Sequence, residues 1–217
     1  MTIAQPLPYY PSTLTTDHVT ANTPCGISNG GVIVANQTTD GNNVPLVSKD
    51  YGHTYIPLPI PGGYSQCAVV GVTADGTAAG GYASDGAVNH AIIWNLTATP
   101  TAAVISNGSF NDITTAGIAD DGTTLVATHT PVSGPKRMLL RSAGAWTELA
   151  NATTYDNFAV AVSGDGSTAV GYEVVSGSGT AIYWTSGTGV SYVTNPLSAP
   201  GSVDPADAPA LFVASNR

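Results

Sequence analysis

The chain has 217 residues, a formal net charge of −9 and only 9% charged residues, five of them basic. So few scattered Lys and Arg exclude the counterion-displacing surface that nucleic-acid binding requires, and equally exclude docking on an anionic bilayer. A hydrophobic share of 42% suffices for the core of a single all-β domain, and no stretch approaches the ~18 apolar residues of a membrane helix.

Residues 1–20 are rich in Thr and Pro. Met1 to Pro6 carries no basic run and no apolar stretch, so the sequence predicts no secretory signal and a protein made in a cytoplasm. This segment reads as an N-terminal arm, with residues 13–20 expected to complete a terminal blade.

From residue 21 to 194 the chain repeats itself. Residues 25–31 read CGISNGG, 70–76 VGVTADG, 116–122 AGIADDG and 160–166 VAVSGDG. The closing glycines Gly31, Gly76, Gly122 and Gly166 stand 45, 46 and 44 residues apart. Counting back from each glycine, position −5 is always very small (Gly26, Gly71, Gly117, Ala161) and position −4 always β-branched (Ile27, Val72, Ile118, Val162). A minimal side chain at one place in every copy implies close approach of another backbone. Position −6 (Cys25, Val70, Ala116, Val160) is apolar throughout, so Cys25 is expected to be a small buried hydrophobe. Cys67 falls elsewhere in its repeat, so the two cysteines form no framework; a bridge between them stays open at this stage.

Each glycine ends a tight turn, for which a preceding Asn or Asp is suited. Asp75, Asp121 and Asp165 are therefore expected to be turn residues rather than catalytic acids. A second strand follows each turn, then a third containing Trp94 or Trp184, each 18 residues after its glycine. Equivalent tryptophans in separate copies are expected to pack between sheets. Arg141 and Lys49 fall near that position in the third and first copies, and a weaker fourth strand closes each copy. Four strands in each of four copies predict an all-β, β-propeller-like array, most simply a four-bladed propeller.

Residues 159–193 (AVAVSGDGSTAVGY, then GTAIYWTSGTGVSYV) and 69–95 (VVGVTADGTAAGGY, then HAIIWN) resemble the bacterial extracellular HAF-type repeat. The resemblance covers roughly residues 21–194. It implies a propeller-like fold and carries no catalytic residue.

Little else suggests chemistry. His18, His53, His90 and His129 show no ligand spacing, and no Ser sits in a G-x-S-x-G elbow. Residues 176–179 (SGSG) read as a flexible loop without the context of a phosphate cradle. Lys136-Arg137 reads as a solvated turn. Residues 40–43 and 120–122 offer oxygen ligands but too few carboxylates for a calcium loop, so turn chemistry is favoured. Asn-x-Ser/Thr triplets begin at Asn36, Asn95, Asn107 and Asn151. No cofactor and no metal are expected.

Residues 195–217 hold Pro196, Pro200, Pro205 and Pro209 and end in an apolar patch, Leu211-Phe212-Val213. They read as an extended arm suited to gripping a neighbour. The chain as a whole is expected to be a non-catalytic structural protein of a virion, contacting other virion proteins and its own copies. The alternative expectation is a module that recognises cell-surface glycan through aromatic platforms.

Overall fold

An Asx-Gly turn joins the first two strands of each repeat and short connections join the rest, so each strand folds back on its immediate neighbour and the chain becomes a series of four-stranded antiparallel meanders. The computed structural model describes residues 22–39, 42–105, 110–149 and 154–193. The first sheet holds β1 (Asn22–Ile27), β2 (Ile33–Thr39), β3 (Asn42–Ser48) and β4 (Ile56–Pro57). The second holds β5 (Gln66–Val72), β6 (Ala78–Ser84), β7 (Asn89–Asn95) and β8 (Thr101–Val104). The third holds β9 (Ile113–Ile118), β10 (Leu125–His129), β11 (Arg137–Ser142) and β12 (Ala145–Glu148), and the fourth β13 (Asp156–Val162), β14 (Thr168–Val175), β15 (Ser178–Thr185) and β16 (Gly189–Tyr192). In every sheet the spatial order of strands is their order in sequence. The fold is an all-β propeller of four blades, as the repeat predicts.

The blades stack because both faces of their middle strands are apolar. In β10, Leu125 joins Ile113 and Leu139 in a cluster with Ala91 and Ile93 of the second blade. The next residue, Val126, points the other way and packs with Ala169 and Trp184 of the fourth. Successive strand residues alternate faces, so a continuous apolar run marks a strand buried on both sides. Trp94 is fully buried between the first two blades, beside Leu58, and its Nε1–H donates to the Pro59 carbonyl at 2.9 Å. The repeated tryptophans are packing residues.

The small −5 residues lie where consecutive blades meet. A Cβ placed on Gly26 would stand 3.3 Å from both Val72 Cγ1 and Val72 N, and one on Gly117 would stand 3.3 Å from Val162 N. The −4 residue of each blade thus lies over the −5 residue of the blade before it.

Two local features depart from the sequence reading. Position −6 is a β-bulge in all four copies: Cys25, Val70, Ala116 and Val160 each have no partner opposite on the second strand. The extra residue bends the strand and increases its twist. Cys25 is accordingly half-buried rather than buried. In the first blade the turn is one residue shorter, since Ser28 N–H donates to Val32 O whereas Thr73 N–H donates to Ala78 O. This shift puts Ser48, not Lys49, opposite Ile33, the register position that Trp94 and Trp184 hold opposite Ala79 and Ala169. Lys49 instead donates to the Thr97 carbonyl of the second blade at 2.6 Å. The stretch read as a loop at residues 176–179 is a tight hairpin turn: Ser176 (φ 51°) and Gly177 (φ 83°) connect the paired residues Val175 and Ser178.

Residues 1–20 and 195–217, and within them residues 13–20 and Leu211, Phe212 and Val213, lie outside the described residues, as do Asn107 and Asn151.

Candidate functional site

The four turns share a closing glycine at positive φ, and in the second, third and fourth the residue before it is an aspartate. The turn glycines have φ of +80° (Gly31), +75° (Gly76), +68° (Gly122) and +71° (Gly166), a region L-residues avoid. Each donates its N–H to the carbonyl three residues back, at 2.9–3.1 Å. Asp75 accepts from Thr73 Oγ1 (2.6 Å), Thr77 N–H (2.9 Å) and Thr77 Oγ1 (2.8 Å). Asp165 repeats this with Ser163 Oγ (2.6 Å), Ser167 N–H (3.0 Å) and Ser167 Oγ (2.8 Å). Asp121 accepts from Thr123 N–H (2.8 Å), Thr124 N–H (2.7 Å) and Thr124 Oγ1 (2.7 Å).

These donors set the charge state. Ser163 and Ser167 hold the Asp165 carboxyl down at about 2, and the Thr73 hydroxyl with the Thr77 amide and hydroxyl lowers Asp75. Burial pushes Asp121 up, but the Thr124 and Thr123 donors outweigh it and the net shift is downward. All three are ionised acceptors saturated by their own turns.

A second set of bonds links turn to turn at position −2. Asn29 N–H donates to Ala74 O (2.8 Å), Ala74 N–H to Asp120 Oδ1 (2.7 Å) and Asp120 N–H to Gly164 O (2.7 Å). The relay runs from the first blade to the fourth, and the Asp120 carboxylate serves it. Among the described residues no three or more His, Cys, Asp or Glu side chains gather as a metal site.

The remaining candidate groups are bound internally. Arg137 lies in β11 and its Nε–H donates to Glu148 Oε1 at 2.9 Å, while the Lys136 ammonium sits 4.9 Å from the Phe158 ring centroid and the Lys136 backbone N–H donates to Asp156 Oδ1. The pair is no solvated turn. His90 Nε2 pairs with Asp85 Oδ2 at 3.0 Å. His129 is buried edge-on to Phe110, and burial lowers its pKa. Cys67 is buried in the first cluster. Asn36 is engaged at its amide, donating to Val69 O (2.8 Å) and Cys25 Sγ (3.1 Å), so its triplet is not open for modification in the fold.

The surface that sequence reasoning missed is on the fourth blade. Tyr172 and Tyr183 are 38% and 36% exposed and stand on the same face, since Tyr172 pairs with Ala181 and Tyr183 with Val170, each two residues from the other tyrosine. Phe158 stacks on Tyr172 with centroids 4.8 Å apart and planes 13° apart. In the other blades this face is covered by the blade that follows. At the opposite end of the array Ile27 is 68% exposed, whereas Val72, Ile118 and Val162 at its repeat position are half-buried.

No protein-family model matches the chain, and no curated protein matches it. Solved structures do. A putative TolB from Agrobacterium tumefaciens superposes with a TM-score of 0.62 at 14% identity, over 80% of this chain and 61% of that one. TolB from Acinetobacter baumannii gives 0.59 at 16% identity, over 79% and 43%. A prolyl endopeptidase gives 0.53 at 14%, over 80% and 29%. The chain thus spans less than two thirds of the length of each. The likeness is one of fold.

Proposed function

We propose that this chain is a non-catalytic structural protein acting through protein–protein contacts, with a virion as its setting: a capsid decoration, a collar or a tail-associated part. The observation that carries the reading is the aromatic face of the fourth blade, where Tyr172 and Tyr183 meet solvent on a sheet whose equivalents elsewhere are covered. Exposed tyrosines are what protein interfaces enrich. The saturated turn aspartates add support, because a general acid or base at neutral pH needs a pKa near 7, and these are held far lower. The four-stranded blade per repeat also supports kinship with the HAF type. Gold-labelled antibody on purified particles tests the setting: labelled virions support it, and bare ones refute it.

The same two tyrosines favour one alternative, a module for cell-surface glycan, since sugar rings stack on aromatic side chains flanked by polar groups. A glycan array blank for the wild-type protein would remove that reading.

A further inference from the structure

We infer that the open face of the fourth blade receives the first blade of a second copy of this chain, so that copies join head to tail. The inference rests on the protein-contact reading and names the partner. Its basis is the interface that the chain already builds three times between its own blades.

Two parts recur at every internal boundary, and a third at the first and last of them. The β-branched residue at −4 covers the small residue at −5 of the preceding blade: Val72 lies against Gly26 and Ile118 against Gly71. A side chain on the second strand reaches the bulged strand of the next blade, as Asn36 reaches Val69 and Thr128 Oγ1 accepts from Ala159 N–H at 3.0 Å. The relay at −2 then ties the turns together. Among the described residues no comparable packing joins the fourth blade to the first.

The two ends match as the parts of one more boundary. Among the described residues, Ile27 is the −4 residue with no preceding blade beneath it, and Ala161 is the −5 residue with no following blade above it. Tyr172 occupies the register position of Asn36 and Thr128, opposite Phe158 as they are opposite Thr23 and Thr114. The strand it would meet offers Pro24 where Val69 and Ala159 offer an N–H, a ring for a ring. The relay also fits. Ala74 N–H donates to the carboxylate of Asp120, and Asn29 carries the equivalent side-chain oxygen for Gly164 N–H, whose bond to a following blade is missing among the described residues. An interface between different patches on two copies is heterologous; it closes into a ring or runs on as a filament. Two copies would give eight blades, within the usual range of four to eight.

The test is sedimentation velocity on the full chain across a concentration series, with Ile27→Glu and Tyr183→Glu variants. The wild type is expected to exceed the single-chain mass of 21.8 kDa, and each variant alone to fall back to it. Mixing the variants one to one is expected to restore a dimer, because the intact fourth blade of one meets the intact first blade of the other. Should Tyr183→Glu fail to melt cooperatively, Tyr172→Glu takes its place. A wild type at single-chain mass throughout overturns the inference, and so does a mixture that stays monomeric while the wild type associates. A monomer that still labels virions would sink self-pairing alone and leave the contact reading standing.

Discussion

Asn36 and Val69 exchange two hydrogen bonds across a blade boundary: the Asn36 amide donates to Val69 O at 2.8 Å, and its oxygen accepts from Val69 N–H at 2.9 Å. One side chain thereby supplies both halves of a strand pairing to a backbone that the bulge at Val70 has pulled out of register. Val69 is fully buried, so Asn36→Ala strands a buried donor and acceptor. A loss of about 1–3 kcal/mol is expected, read as a lower urea midpoint with unchanged slope. Asn36→Asp keeps the acceptor, loses the donor, and is expected to be destabilised as well.

Gly81 is a close-approach glycine of a different kind. A Cβ there would press on the Ala68 carbonyl and come within 2.7 Å of Trp94 Cζ3. Gly81→Ala is expected to cost about 1–3 kcal/mol or more, because neither the backbone nor a fully buried indole can give way. The third blade supports this: it carries Ala127 at the same register position and Arg141 in place of the tryptophan. Thermal melting of the single variant is the check.

The turn aspartates make an acid-labile contribution. Asp165 has a folded pKa of about 2, below the ~3.9 of an unfolded aspartate. Its stabilising effect is therefore complete above about pH 4 and is lost as pH falls toward 2. Asp50 and Asp85 lie as low and act in the same window. Urea midpoints measured from pH 5 to pH 2 are expected to fall less steeply in Asp165→Asn than in the wild type. Parallel curves would show that the turn carboxylate is not the titrating group.

Cys67 is 1% exposed, and burial pushes its thiol up to about 11. At pH 8 only ~0.1% would be thiolate even with access. A chromogenic disulfide reagent is expected to leave Cys67 unmodified in the native protein and to reach it in urea. Rapid native labelling, located by mass spectrometry, would contradict the packing of the first cluster.

The repeat made the blades readable because the turn chemistry is local. A glycine at positive φ after an Asx residue, with branched and minimal residues at −4 and −5, states its geometry within seven positions. The bulge at −6 was not readable: an apolar residue there looks like one more inward side chain, and only its lack of a cross-strand partner shows otherwise. The doubled Gly30-Gly31 concealed the shortened first turn, which moved Lys49 off the tryptophan position. Asn36 looked like the head of a sequon. Its role depends on a strand 33 residues away, and the exposure of Tyr172 depends on there being no blade packed over it among the described residues. Neither lies in any local pattern.

The relay at position −2 has a consequence for motion. Ala74 and Asp120 each take part in two links of it, whereas Asn29 and Gly164 take part in one. The inner blades are held from both sides and the outer ones from a single side. In an array whose units touch only their neighbours, stability is a sum of nearest-neighbour terms, and opening begins where those terms are fewest. Native-state hydrogen exchange should therefore be graded, with the amides of β1 and β16 trading deuterium first and those of β6 and β10 last. If copies join, that gradient flattens, and the outer blades slow most.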